Sequence, residues 1–125
     1  MRVLIDTHVL LWTLREPDRL RSSAKAVLAD PAVVAVVSAV VVWEIAIKQG
    51  LGKLHAPEDL MAVLHSTDHK ILPIQAADAW RLRDLPPHHG DPFDRLLIAQ
   101  AQAENLPILT HDRVFEQYDV QVIRA

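Results

Sequence analysis

Met1-Arg-Val-Leu-Ile-Asp6 is a short apolar run that ends in a carboxylate, and it predicts a buried strand with an acidic residue at its end. Thr7–Arg15 follows directly and predicts a helix that ends near Pro17. A strand that passes straight into a helix is the first unit of an alternating α/β chain, in which helices cover a parallel sheet. We therefore expect this unit to recur in the rest of the chain.

The alternation of strand and helix continues to the end of the sequence. Further strands are predicted at residues 33–37, 71–74, 107–109 and 120–123, and Pro73 places the second of these at a sheet edge. Further helices are predicted at residues 22–30, capped by Ser22 or Ser23, at 39–50, capped by Ser38, at 57–65, at 75–85, and up to residue 105 from an Asp91 cap. We expect a three-layer α/β/α sandwich with a mostly parallel sheet of four or five strands, in one domain spanning residues 1–125.

Composition narrows the class of protein. The chain has no cysteine, which excludes a disulfide framework and a thiolate metal site and suits a reducing cytoplasm. Asp6 interrupts the first apolar run, so we expect no secretory signal, and the apolar stretch 32–43 is too short to span a bilayer. The formal net charge is −3, whereas nucleic-acid binders are usually basic. Cations bound among the acids would reverse the local field.

Four acidic residues fall at similar places relative to the predicted strands. Asp6 ends the first strand, Asp112 follows a late strand, Glu44 lies in the helix after an apolar segment, and Asp94 lies in the helix that begins at Asp91. In an open α/β sheet the carboxyl ends of the strands converge on one crevice. Carboxylates gathered there repel one another unless a cation lies among them, and hard divalent cations that take oxygen ligands usually act on phosphates. The pattern predicts a metal-dependent enzyme that cleaves phosphodiesters.

Each acid by itself also has an ordinary structural explanation. Asp6 and Asp112 could each cap the helix that follows, and Asp91 is best explained as a cap because Pro92 comes next. An acid three residues after a cap, as at Asp94, favours the helix dipole and can close a capping box.

Glu44 is harder to explain in this way. Three of its four neighbours at helical spacing are apolar, so its carboxylate lies on or beside the buried face and needs a partner. That partner is either Lys48, one helical turn later, or a metal ion.

Four segments, taken in order, resemble PIN-domain ribonucleases, most of all the VapC-type toxins of bacterial and archaeal toxin–antitoxin pairs. The segments are residues 6–12, 38–48, 91–101 and 109–112, and the likeness runs from Met1 to about Phe115. By resemblance, the metal-binding acids are Asp6, Glu44, Asp94 and Asp112, and Thr110 is the hydroxyl residue that supports the last acid or its bound water. The resemblance implies Mg²⁺ or Mn²⁺ as cofactor.

The activity implied is that of a metal-dependent endoribonuclease toxin, which hydrolyses RNA and is paired with a small antitoxin protein. Proteins of this type often form homodimers. Trp12 and Trp43 are most simply core or partly buried residues, but they could instead line a groove for a partner helix.

Several other polar side chains could border the same crevice. Arg95 and Arg113 each follow a candidate ligand, so either could contact a phosphate or remain solvated or ion-paired. The seven histidines show no spacing of a tetrahedral zinc site. His8 and His111 could border the acids, although a surface or packing role is the simpler interpretation.

Two other classes of function are compatible with an acidic α/β chain. A phosphoacceptor domain would place paired acids after the first strand and a lysine after a late one. A phosphatase of the haloacid-dehalogenase type would have an aspartate two residues after Asp6, where His8 stands. A non-catalytic binding module could keep the fold, but all four acids are present. The RNA target, the number of metal ions and the oligomeric state do not follow from the sequence.

Overall fold

Five parallel strands form one sheet in the computed structural model, which describes residues 1–125. The strands are β1 (Arg2–Ile5), β2 (Val34–Ser38), β3 (His69–Leu72), β4 (Ile108–Thr110) and β5 (Val122–Arg124), and their spatial order is β3-β2-β1-β4-β5. Every neighbouring pair is parallel. The predicted α/β/α fold with a parallel sheet of four or five strands is confirmed, and β3 lies at an edge as predicted.

Six α-helices connect the strands: α1 (Thr7–Arg15), α2 (Ser22–Ala29), α3 (Ala39–Gly50), α4 (Leu60–Ser66), α5 (Ala76–Arg81) and α6 (Pro92–Glu104). Short 3₁₀ turns occupy Pro17–Arg19, Leu82–Asp84 and Arg113–Gln117. None of the helices combines the length and hydropathy that a membrane-spanning segment requires.

Three helices begin at the caps that the sequence predicts. The Asp6 carboxylate accepts the amide hydrogen of Val9 at 2.9 Å, and the Ser38 hydroxyl accepts that of Val40 at 3.0 Å. Asp91 caps α6 by accepting from the amides of residues 93 and 94 at 2.8 and 3.1 Å, with Pro92 at the first helical position. Each cap satisfies amides that have no partner inside the helix.

Other boundaries differ from the prediction. Arg21 holds the cap position of α2 and makes no side-chain cap bond, so the predicted serine cap is wrong. Helix α4 begins at Leu60, three residues later than predicted, and α5 passes into a 3₁₀ turn at Leu82. Pro73 follows β3 instead of interrupting it. These are local differences at element ends, where propensity is weakest as a guide.

The central strands are covered on both faces. Val3, Leu4 and Ile5 of β1 and Ile108 and Leu109 of β4 are completely buried, as expected for strands between two helical layers. The chain runs from β1 toward β2 on one side and reaches β4 on the other, so the strand order reverses between β1 and β4. In open α/β sheets this reversal opens a crevice beyond the carboxyl ends of the two strands.

Helix α6 is tied to the other half of the sheet by one buried amide. Gln100 accepts a hydrogen bond from the Ser38 hydroxyl at the end of β2 and donates to the Pro73 carbonyl at 3.1 Å. Because a buried amide without partners is costly, these bonds favour one placement of α6 against β2 and β3. That placement sets the position of the first turn of α6, which carries Asp94.

Candidate active site

The register of β1 and β4 places Asp6 beside Thr110. Ile5 pairs with Leu109, and the next step brings the two polar residues together at the carboxyl end of the sheet. The Thr110 hydroxyl donates to Asp6 Oδ2 and accepts from the Asp112 amide at 3.0 Å. Thr110 thus links the carboxylate of one candidate ligand to the backbone of another. Burial raises the pKa of Asp6 above its usual range.

Glu44 enters the same region from α3 and is buried. The Thr7 hydroxyl donates to its Oε1 at 2.5 Å, and Lys48 Nζ pairs with its Oε2. The hydrogen bond to Glu44 raises the pKa of Lys48. Lys48, one of the two partners that the sequence suggests, therefore forms an ion pair with the Glu44 carboxylate.

Asp94 lies in the first turn of α6, where the surrounding acids act on it. Burial, followed by the negative charges of Asp91, Glu44, Asp6 and Asp112, raises the pKa of Asp94 to about 8. The four acids that the sequence singles out are thus close enough to interact, and Asp91 adds a fifth carboxylate. At neutral pH the cluster keeps a proton on Asp94 because a further negative charge is unfavourable there.

His89 completes the cluster, and the sequence does not point to it. Its Nε2 lies 2.9 Å from Asp94 Oδ2 and 3.0 Å from Asp112 Oδ2, while its Nδ1 accepts the Asp91 amide hydrogen at 3.2 Å. Since Nδ1 accepts, the proton of the neutral ring is on Nε2, between the two carboxylates. His89 lies in a loop without hydrophobic periodicity, and its position two residues before the Asp91 cap is the one feature of the sequence that places it near Asp94.

The residues present fit a divalent cation. Carboxylate oxygens of Asp94 and Asp112 lie within 4.8 Å of each other and of His89 Nε2, and carboxylate oxygens are the donors that hard cations prefer. The raised pKa of Asp94 reflects burial and the repulsion between neighbouring acids, and a bound cation would offset that repulsion. The role of Asp6, Glu44, Asp94 and Asp112 as metal ligands stays a prediction.

Arg95 faces the interior of a loop and not the crevice. Its Nη1 donates to the Pro86 carbonyl at 2.9 Å, and its Nη2 donates to the carbonyls of Leu82 and Leu85, both at 3.2 Å. Of the two roles left open for this arginine, phosphate contact is therefore excluded by its position. The guanidinium instead organises the loop that carries His89, whose carbonyl it also approaches at 3.4 Å.

A cavity of about 540 Å³ opens beside Asp6 and Asp112. Its other lining residues are His8, Trp12, Arg19, His111 and Arg113. His8 and His111 thus lie beside the acidic cluster, and both are also exposed at the surface. Trp43 lies elsewhere, on α3, where its ring meets that of Phe93 edge-on at 4.8 Å.

A parallel sheet that gathers carboxylates at its strand-reversal crevice defines an open α/β domain with its candidate site at the carboxyl ends of the strands. The chain belongs to the PIN domain family, whose model matches residues 3–121.

Several solved structures have a fold similar to that of this chain. Structural likeness extends over 100% of this chain and 99% of a chain in VapBC2 from Rickettsia felis bound to a promoter DNA fragment, with a TM-score of 0.75 and 16% identity. In DNA-bound VapBC from Salmonella typhimurium it covers 99% and 98% of the two chains, with a TM-score of 0.70 and 16% identity. The PIN domain endonuclease Utp24 matches 93% of this chain over 74% of its own, with a TM-score of 0.54 and 18% identity. Among curated proteins none matches.

Proposed function

We propose that the chain is a metal-dependent endoribonuclease and the toxin of a toxin–antitoxin pair, acting in the cytoplasm as one nuclease domain. The observation that carries the proposal is the convergence of Asp6, Glu44, Asp94 and Asp112 at one edge of a PIN-domain sheet. Hydrolysis of RNA needs charge neutralisation on the phosphate and an activated water, and carboxylate-bound Mg²⁺ or Mn²⁺ supplies both when present.

The protein's own contribution is to hold the acids in place before any ion arrives. Thr110 orients the Asp6 carboxylate, while Thr7 and Lys48 fix that of Glu44. The first turn of α6 presents Asp94, which would hold a cation in its deprotonated form, since a neutral carboxyl is a poor ligand. Such preorganisation keeps the ligand geometry from being lost to rotamer freedom.

Cleavage of a labelled single-stranded RNA in Mg²⁺, Mn²⁺ or excess EDTA tests this function. We expect cleavage in either ion, none in EDTA, and a loss of most activity in Asp94→Asn. Asp84→Asn is the matched control, because its carboxylate is 76% exposed and lies in another part of the chain. Cleavage that persists in excess EDTA would show that the metal mechanism is wrong.

The proposed partner is a small antitoxin protein. VapBC-5 from Mycobacterium tuberculosis, a further solved structure of similar fold, is a member of the VapBC family of toxin–antitoxin systems, and the family resemblance of this chain points to the same kind of pairing. The structure offers apolar surface for it: Trp43 on α3 is 48% exposed, and a cleft of about 560 Å³ between α3 and α4 includes Val42 and Ile45.

Co-expression of the chain with the small protein encoded next to it tests the pairing. We expect the two to purify together, and two independent monodisperse proteins would contradict the proposal. Homodimerisation stays a prediction, which light scattering of the isolated chain would test.

A further inference from the structure

We propose that the cavity beside the acidic cluster is a nucleotide subsite, which stacks one base of a single-stranded RNA on Trp12 and His111 and holds a phosphate with Arg113. The inference rests on the proposed ribonuclease function for the identity of the strand. The cavity would place the substrate beside the acids, and its arginines would give a chain of net charge −3 a local site for a polyanion.

The cavity has the size and chemistry of a site for a polar planar ligand. Its volume of about 540 Å³ lies within the range of roughly 300–1,000 Å³ that is usual for small-ligand sites. Trp12 is the only hydrophobic residue among its seven lining residues. An apolar peptide would therefore find little to bury here, whereas a base that stacks on one face and forms polar contacts at its edge fits well.

Aromatic rings from two separate elements meet in this cavity. His8 and Trp12 are four residues apart on α1 and so share one face of the helix, with ring centroids 6.2 Å apart. His111, in the segment after β4, meets Trp12 edge-on at 5.3 Å. Both imidazoles are exposed, and neither makes a hydrogen bond within the protein, so their rings are free to contact a ligand.

Positive charge lines the same cavity. The guanidinium of Arg19 stacks over Trp12 at 4.6 Å from the ring centroid and also pairs with Glu16 at 3.2 Å. Arg113 is exposed and takes part in no salt bridge or side-chain hydrogen bond. An unpaired arginine next to a carboxylate cluster is positioned to bind a phosphate and to offset local negative charge.

The charge distribution also discriminates between two kinds of macromolecule. A basic peptide from a partner protein would be attracted by Asp6 and Asp112, but it would leave Arg113 without an anionic partner and the aromatic rings without a planar one. A nucleotide offers a phosphate for Arg113 and a planar base for the rings, so it uses both features of the lining. Stacking requires a base that is free of its own neighbours, so the ligand is a single strand and not a duplex. Asp6 and Asp112 form the adjoining wall, which places the bound nucleotide next to the proposed scissile phosphate.

Fluorescence anisotropy with a labelled single-stranded RNA decamer, in millimolar Mg²⁺ and in an Asp94→Asn background, tests the subsite while the RNA stays intact. We expect Trp12→Leu to weaken binding about ten-fold or more, since base stacking on aromatic side chains contributes at this scale. Arg113→Gln should weaken binding and reduce the slope of log affinity against log salt by about one phosphate contact.

The chain supplies its own matched control. Trp80 is 67% exposed and carries the guanidinium of Arg83 stacked at 4.4 Å, so it repeats the tryptophan–arginine pair outside the cavity. Trp80→Leu and Arg83→Gln should leave the affinity and the salt slope unchanged. If Trp12→Leu fails to fold, His111→Ala and Arg113→Gln still test the site, because both residues are exposed.

The outcomes separate the subsite from the nuclease function. Metal-dependent cleavage by the unmutated chain, with RNA affinity and salt slope unaffected by Arg113→Gln and His111→Ala, would overturn the subsite and leave the function standing. If the cavity variants lose RNA affinity but the unmutated chain cleaves no RNA in Mg²⁺ or Mn²⁺, the subsite is supported and the nuclease function is rejected. Variants that bind RNA normally but lose the protein partner would show that the cavity is a protein-docking surface, which also overturns the proposal.

Discussion

Asp91 and Asp94 show how two acids three residues apart can have different roles. Asp91 accepts the amides of Phe93 and Asp94 and so acts as the cap of α6, whereas Asp94 is the acid on which the whole cluster acts. Asparagine caps nearly as well as aspartate. We therefore expect Asp91→Asn to retain much of the RNA cleavage rate and Asp94→Asn to lose most of it, as measured in the same Mg²⁺ assay. Equal losses would mean that Asp91 also belongs to the catalytic cluster.

His89 was not predicted as a site residue, but it lies between two of the predicted acids. Its Nε2–H lies between Asp94 and Asp112, the position that a shared cation would take. Its removal leaves both carboxylates without this donor, so His89→Ala should lower metal-free stability by about 1–2 kcal/mol.

The same substitution should strengthen Mg²⁺ binding, because the ion no longer displaces a hydrogen bond. Titration calorimetry and thermal unfolding in EDTA measure the two effects, with His88→Ala in the same loop as control. A weaker Mg²⁺ affinity in His89→Ala would contradict this displacement model and would indicate that the imidazole itself ligates the ion.

At the scale of elements, Arg95 connects α6 to the loop that presents His89. The guanidinium donates to the carbonyl of Leu82, at the start of the 3₁₀ turn, and to those of Leu85 and Pro86, which follow the turn. Lysine cannot reproduce this planar set of donors. We expect Arg95→Lys to destabilise the fold by about 2 kcal/mol, given several charge-assisted bonds, and to lower the melting temperature by several degrees.

Scanning calorimetry of Arg95→Lys measures this loss. Arg83→Lys is the control, since that side chain is exposed and contacts only Asp84, at 3.8 Å, and the exposed ring of Trp80. An unchanged melting temperature for Arg95→Lys would show that the loop holds its conformation without the guanidinium.

The helices and strands could be predicted from the sequence better than the loops. The parallel sheet, the caps at Asp6, Ser38 and Asp91, and the proximity of four acids all follow from local pattern and from the geometry of α/β sheets. The serine cap of α2 did not follow, because either of two adjacent serines suits a cap and the backbone begins the helix one residue earlier.

His89 and Arg95 were beyond prediction for a different reason. Both act through contacts in a loop without hydrophobic periodicity, where the conformation depends on tertiary partners such as Tyr118, whose hydroxyl accepts the His89 amide hydrogen at 2.7 Å. No local propensity places an imidazole between two carboxylates that are five and 23 residues away in sequence.

At the scale of the whole molecule, the acidic cluster opposes folding when no metal is bound. The pKa of Asp94 is about 8 in the folded protein and near its usual value in the unfolded chain. Between about pH 4 and pH 8 the folded state therefore holds a proton that the unfolded state has released, and stability falls as pH rises. The pKa of Asp6 is also raised, so it contributes in the same direction. Below pH 4 both groups are protonated in both states and contribute no pH dependence.

Asp94→Asn should remove most of this pH dependence. At pH 5 we expect the free energies of unfolding of the variant and the parent in EDTA to differ by only about 1 kcal/mol, because this pH lies about one unit above the unfolded pKa. At pH 8 and above the variant should be more stable by several kcal/mol, roughly 5 for the full gap of about four units, because each unit between the two pKa values corresponds to roughly 1.4 kcal/mol. Millimolar Mg²⁺ should reverse the order, since an ion that binds only the folded parent stabilises it by mass action.

Urea unfolding of the parent, Asp94→Asn and the exposed-acid control Asp84→Asn, at pH 5, 7 and 9 in EDTA and in Mg²⁺, measures all of these differences. The control should follow the parent under every condition. If Asp94 only complemented the dipole of α6, its replacement would lower stability by a few tenths of a kcal/mol at pH 7 and 9, with the same Mg²⁺ shift as the parent. That result would separate Asp94 from the metal site, whereas a variant that is more stable in EDTA and less responsive to Mg²⁺ would assign it to the site.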